Sequence, residues 1–228
     1  MKSRIADNLA QLHKRIQQAE RRYQRPPGSV QLLAVSKTRP AEDILAAATC
    51  GQRHFGENYL QEAVEKITAL ADLNLCWHFI GPIQSNKTRL IATHFHWVHS
   101  VDRLKIARRL SDQRPAHLPP LNICLQVNIS DEASKSGLSL SELPEAARQI
   151  AGLPNLHLRG LMAIPQRSSH FEQQRHSFRQ LHQALQSLNN EGIGLDTLSM
   201  GMSTDMEAAI AEGATIVRIG TDIFGPRD

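Results

Sequence analysis

Cysteine is scarce in this 228-residue chain: Cys50, Cys76 and Cys124 are separated by 26 and 48 positions. That is neither the even, closely spaced set of a disulfide scaffold nor a CxxC zinc motif, so the three read as buried, reduced thiols. Long apolar runs are absent too. The mean hydropathy is −0.34 and no stretch approaches the roughly 20 residues needed to cross a bilayer, which excludes a helical membrane anchor. The N-terminus lacks the apolar core and small-residue cleavage site of a secretory signal, so a cytoplasmic, soluble protein is expected. Excess charge is slight. The net charge of +4 comes from 26 basic and 22 acidic residues, and Arg21, Arg22, Lys105, Arg108 and Arg109 alternate with acids at helical spacing. This pattern describes solvated helix faces rather than a nucleic-acid surface. Low-complexity tracts and Gly/Ser linkers are missing as well, and residues 1–228 read as one domain.

What is present is alternation. Ile5, Leu9, Leu12, Ile16, Ala19 and Tyr23 step by four and three residues, the stripe of an amphipathic helix that stops before Pro26-Pro27-Gly28. Beyond it, the expected strands are 31–35, 53–56, 76–80, 96–98, 121–127, 156–163, 197–199 and 215–219. Helices between them are signalled by Pro40 with Glu42 and Asp43, by 102–110, by Ser141 before Glu142 and Glu145, and by 171–188. Strands joined through helices run parallel, because a parallel crossover needs a long connection. Eight units over Leu32 to Ile219, about 24 residues each, predict an α/β (β/α)8 TIM barrel with an extra N-terminal helix. A doubly wound open sheet is the alternative, but no GxGxxG turn follows the first strand.

Candidate functional residues gather at strand ends. Leu33, Val35 and Lys37 share a face, which sets an ammonium group at the C-terminal end of the first strand; it reads either as a lysine snorkelling out to solvent or, if desolvated to a lowered pKa, as an amine able to attack a carbonyl. Ile216, Arg218 and Gly220 share a face of the last strand. A guanidinium buried there needs a phosphate, a ring nitrogen or an internal carboxylate as partner. Ser203 follows the seventh strand, while Gly220 and Thr221 follow the eighth; loops at these two places commonly bind phosphate in (β/α)8 barrels. Thr204 and Glu207 also have the spacing of a capping box. Asn58 after the second strand reads as a ligand contact or a turn former, and His78 as a hydrogen-bonded core histidine or a catalytic one. His94, His96 and His99 lack a cysteine or carboxylate at ligand spacing, so no metal site is expected.

The segments Ala34-Val35-Ser36-Lys37, His54-Phe55-Gly56-Glu57-Asn58, Trp77 through Lys87, Leu198 through Ser203, and Arg218 through Gly225, in this order, resemble the YggS/PROSC family of pyridoxal 5′-phosphate-binding proteins. The resemblance implies the barrel also found in the N-terminal domain of alanine racemase. It implies that Lys37 carries pyridoxal 5′-phosphate as an aldimine, that Ser203, Gly220 and Thr221 hold its phosphate, that Arg218 faces the pyridine nitrogen, and that Asn58 lies beside the ring. Two departures stand next to the phosphate loops: Thr204 occupies a place where the family often has an acid, and no aromatic follows Pro226-Arg227-Asp228.

An arginine at the pyridine nitrogen offers only donors and leaves the ring a poor electron sink. The expected function, as the resemblance implies, is pyridoxal phosphate homeostasis by a carrier or regulator that also affects amino-acid balance, with cofactor-accepting apoenzymes as partners, no nucleic acid or membrane, and a monomeric state. The alternatives are a weak amino-acid racemase or lyase, a sugar-phosphate barrel enzyme and a nucleic-acid-binding module. Lys87 and Lys135 read as solvated loop cations rather than a second cofactor site.

Overall fold

A computed structural model describes residues 2–130 and 136–226. Lys135, Arg227 and Asp228, to which parts of the sequence reading apply, lie outside them. Eight parallel strands close into a barrel in chain order: β1 Gln31–Val35, β2 His54–Glu57, β3 Cys76–Phe79, β4 Trp97–Val101, β5 Leu121–Gln126, β6 Leu156–Met162, β7 Thr197–Ser199 and β8 Ile216–Ile219. The closing pair sets Leu33 beside Arg218 and Ala34 beside Ile219, bringing the chain after β1 next to the chain after β8. Helices follow every strand: α2 Ala41–Thr49, α3 Leu60–Ala69, α4 Thr88–His94 behind a 3-10 turn at Ser85–Lys87, α5 Leu104–Gln113, α6 Leu143–Ala151, α7 Phe171–Asn190, α8 Met206–Ala211 and α9 Thr221–Phe224.

The N-terminal helix α1, Lys2–Arg22, buries Ile5, Leu9, Leu12, Ile16 and Ala19 as the stripe requires, and Tyr23 packs half-buried just past its end. It lies where the barrel closes, against α2, α8 and α9. Asn8 donates to the Ile223 carbonyl at 2.9 Å and Arg15 pairs with Asp222 at 3.0 Å. Among the described residues no helix is long and apolar enough to cross a membrane.

Several boundaries differ from the sequence reading for identifiable reasons. Strand β4 runs to Val101 rather than ending at Val98, because the polar His99 and Ser100 that interrupt its apolar pattern are paired inside: the Ser100 hydroxyl donates to the Gly81 carbonyl at 2.5 Å. Helix α5 starts at Leu104, two residues late, with Arg103 still extended ahead of it. The reciprocal Ser–Glu pairing is made by Ser139, not Ser141, and closes the turn ahead of α6: the Ser139 N–H donates to Glu142 Oε2 at 2.8 Å and its hydroxyl accepts from the Glu142 N–H. The Thr204–Glu207 box does not form; α8 has Asp205 at its N-cap and Thr204 is exposed. The cysteines are free, as expected, but only Cys124 is buried; Cys50 is exposed at the end of α2 and Cys76 is half-buried.

Candidate functional site at the barrel mouth

Lys37 sits two residues beyond β1 on a turn held by buried charge. Ser36 donates its hydroxyl to Glu57 Oε1 at 2.6 Å, and Lys66 from α3 donates to the Ser36 carbonyl at 2.8 Å and to Glu57 Oε1 at 2.9 Å. Lys66 also pairs with Glu62, whose carboxylate accepts the Thr38 N–H at 2.6 Å. Glu57 is fully buried, and that burial raises its carboxyl pKa against the pull of Lys66. Two ions buried together satisfy one another only in a fixed geometry, so this cluster fixes the turn from which Lys37 projects.

On the adjoining side Arg218 is buried within β8. Its Nη1 donates to Ser199 at both the carbonyl (2.6 Å) and the hydroxyl (2.8 Å), and its Nη2 donates to the Ala163 carbonyl at 3.0 Å. No carboxylate among the described residues is within ion-pair distance of it. Asp205 acts on it only at longer range, so the internal ion pair considered from sequence is not formed. Burial lowers its pKa to about 10, which still leaves a cation at neutral pH. Of five guanidinium N–H groups, the three bonds above leave Nε–H and one Nη2–H available.

The loop after β7 is tied to β8 itself, as Arg218 donates its backbone N–H to the Gly201 carbonyl at 2.9 Å. Gly201 has φ +94° and its missing Cβ would stand 2.6 Å from the Ala209 Cβ, so only glycine fits the turn that leads to Ser203. Asp205 accepts the Met202 N–H at 2.6 Å and holds that turn in place. Gly220 abuts β1, where an added Cβ would lie 3.1 Å from the Val35 carbonyl oxygen, and Thr221 opens α9 with its first N–H groups free of helical partners.

Lys37, Arg218, Gly220 and Thr221 thus meet at the β8–β1 seam, and Ser203 joins them through the Gly201 link. Asn58 follows β2, the other neighbour of β1, where Val35 pairs with Gly56. Its Oδ1 is buried without a partner, and the residue lines a cavity of about 320 Å³ with Ile80, Ser100, Asp102 and Gln126. The other five residues do not line that cavity.

Beneath the mouth lies a chain of side chains that local sequence patterns did not expose. Ser199 Oγ is 2.7 Å from His99 Nδ1, His99 Nε2 is 2.9 Å from His78 Nδ1, and His78 Nε2 is 3.0 Å from His54 Nδ1 at the start of β2. Arg218 can only donate, so the arrangement that gives the Ser199 hydroxyl an acceptor runs one way. Ser199 donates to His99, His99 to His78, and His78 to His54, each imidazole carrying its proton on Nε2. Burial pushes the His99 pKa down to about 3 and that of His78 well below the usual range, keeping both neutral. His78 is therefore the hydrogen-bonded core histidine of the two readings. The signal in the sequence is long-range: one inward histidine on each of three consecutive strands.

A family model described as alanine racemase, N-terminal domain, matches residues 8–228. The pyridoxal phosphate homeostasis protein of Pseudomonas aeruginosa is 62% identical over 226 residues, which cover 99% of this chain and 97% of the relative. This chain belongs to the pyridoxal phosphate homeostasis protein family. A solved structure similar to this family member is PipY of Synechococcus elongatus with PLP bound, 40% identical with a TM-score of 0.84, covering 97% of this chain and 100% of that one. Alanine racemase from Corynebacterium glutamicum shares the fold alone with it: the TM-score is 0.72 at 16% identity, and the match covers 99% of this chain but 61% of the racemase.

Proposed function

We propose that this protein holds pyridoxal 5′-phosphate reversibly through Lys37 and serves intracellular homeostasis of that cofactor, and with it amino-acid balance, without robust turnover of its own. Arg218 carries the reading. A buried guanidinium held by neutral oxygens of Ser199 and Ala163, with two N–H groups left over, fits an unprotonated ring nitrogen as acceptor. In this reading the Lys37 amine takes the aldehyde, Ser203, Thr221 and the Gly220 backbone take the phosphate, and Asn58 stands beside the ring.

When bound, the cofactor supplies an electrophilic carbonyl and a ring able to accept electrons, the latter best when its nitrogen is protonated. Arg218 keeps that nitrogen unprotonated because it has no acceptor to offer and does not give up its charge near neutral pH. The Glu57–Lys66 cluster orients the Lys37 turn and is spent on that task. Tyr59, which follows Asn58, is exposed, and Tyr23 packs just past the end of the N-terminal helix, so neither is held at the seam as a base. The resemblance to relatives named as homeostasis proteins rather than as enzymes supports the same conclusion. We further propose that the chain acts as a single-domain, cytoplasmic monomer that passes the cofactor to apoenzymes.

The test pairs two assays on protein loaded with pyridoxal phosphate: release of the cofactor into a dialysate, and chiral analysis of L-alanine incubated with the protein. Release without racemisation is expected. Racemisation that disappears in Lys37→Ala would make the protein an enzyme instead.

A further inference from the structure

At the opposite end of the barrel from Lys37, His54 and Cys76 open β2 and β3 as directly paired residues, with His78 one layer above them. His54 Nδ1, Cys76 Sγ and His78 Nε2 all lie within 4.8 Å of one another; His78 Nε2 is 3.0 Å from His54 Nδ1 and 3.5 Å from Cys76 Sγ. Tetrahedral coordination with Zn–N of about 2.0–2.1 Å and Zn–S of about 2.3 Å needs N···N of about 3.3 Å and N···S of about 3.5 Å. The His78–Cys76 pair already has that spacing, and the histidine pair needs to open by a few tenths of an ångström.

We propose that His54, Cys76 and His78 form a binding site for a borderline-soft divalent cation of the zinc type. Two imidazoles and a thiolate are the donors such ions select over magnesium or calcium. His54 and Cys76 are half-buried at the strand N-termini, so solvent reaches the site and water takes the fourth position.

The supports around the site match those of a metal-bound histidine, whose second nitrogen is fixed by a hydrogen bond. The His78 ring stacks on Trp97 with centroids 5.5 Å apart and planes 9° from parallel, and His99 faces its Nδ1. Trp97 in turn lies under Arg159, which Asp196 clamps.

Binding has a consequence beyond the site. The cation takes His54 Nδ1 and His78 Nε2 as neutral donors and Cys76 as thiolate, and the thiol proton leaves to solvent. The His78 proton must then sit on Nδ1, facing His99 Nε2; that nitrogen becomes an acceptor, and the His99 proton moves to Nδ1 against Ser199 Oγ. Cation binding therefore reverses the hydrogen-bond direction of the chain as far as Ser199, which holds Arg218 and whose hydroxyl proton must then turn away from His99 to another acceptor. The binding site itself does not depend on the cofactor reading; a link from it to the mouth does.

The experiment uses the full chain carrying Cys50→Ser, which removes the exposed thiol, titrated with Co2+ and then with Zn2+. One equivalent of Co2+ with a thiolate-to-cobalt charge-transfer band, displaced by Zn2+, is expected. Cys76→Ser should abolish the band, and His54→Gln, at a half-exposed position, should weaken binding at least about tenfold. Nitrogen NMR of the imidazoles should show His78 and His99 exchange their protonated nitrogen on Zn2+ addition. No band, or binding equal in Cys76→Ser and His54→Gln, overturns the site. Binding that leaves both tautomers unchanged overturns its connection to Ser199.

Discussion

Arg218 grips Ser199 twice, donating from one nitrogen to its carbonyl at 2.6 Å and its hydroxyl at 2.8 Å. This pairing makes Ser199 the junction between the mouth of the barrel and the histidine chain below it. The guanidinium is held at the seam by neutral groups, so its charge remains directed at whatever occupies the mouth.

Arg218→Lys keeps the charge but replaces a planar fork by a single ammonium, which cannot reach the Ser199 and Ala163 carbonyls together and still face a ligand. A stability loss of about 1–3 kcal/mol in urea unfolding is expected from the unpaired carbonyls. The absorbance of added pyridoxal phosphate should shift at the same time. Unchanged stability and an unchanged spectrum would show that the guanidinium is not the group in contact.

Lys66→Met leaves Glu57 buried without its cation. Breaking a buried pair from one side costs about 3–5 kcal/mol, whereas removing both charges costs far less. Urea unfolding should therefore show Lys66→Met to be more damaging than the double variant Glu57→Gln/Lys66→Met. The opposite order would mean that the cluster does not act as an ion pair.

Acid should unfold the protein through its buried imidazoles. His99 and His78 have folded-state pKa values below the ordinary histidine value, His99 at about 3, so between that value and about 6.5 the unfolded chain binds protons that the folded chain does not. Stability is then fully present above pH 6.5 and falls as pH drops, by up to about 1.4 kcal/mol per pH unit for each group. Chelator-treated protein unfolded in urea between pH 7 and pH 5 tests this, and His99→Gln should flatten the slope. A slope unaffected by that variant would locate the acid sensitivity elsewhere.

Gly201→Ala places a Cβ 2.6 Å from that of Ala209 at a φ of +94°. A loss of about 1–3 kcal/mol is expected from the backbone strain, with weaker retention of phosphate-bearing ligands as the Ser203 turn moves. Thermal unfolding with and without pyridoxal phosphate measures both effects. Equal stability and equal ligand protection would contradict the role assigned to the turn.

The barrel was legible from sequence because each strand contributes a short apolar run and each crossover a helical period, two signals that survive without knowledge of tertiary partners. The mouth residues were legible because Lys37, Ser203, Gly220 and Thr221 all follow strands, where barrels carry chemistry. Polar interior residues were harder. His99 and Ser100 looked like the end of β4 because their partners, Ser199 and Gly81, lie far along the chain. Lys66 carries no local sign of its role, since nothing in its own helix reveals that Glu57 faces it. Cys76 fitted no ligand motif because β2 supplies the histidine paired with it, 22 residues earlier.

We propose Lys37 as the covalent anchor of pyridoxal phosphate. The most direct measurement is borohydride reduction of the cofactor-loaded protein followed by peptide mass mapping, with Lys37→Ala in parallel. A pyridoxyl group on the peptide containing Lys37, and none at that position in the variant, is expected. A protein that takes up no cofactor, or one whose reduced adduct maps to another lysine while Lys37→Ala binds as well as the native chain, would contradict it.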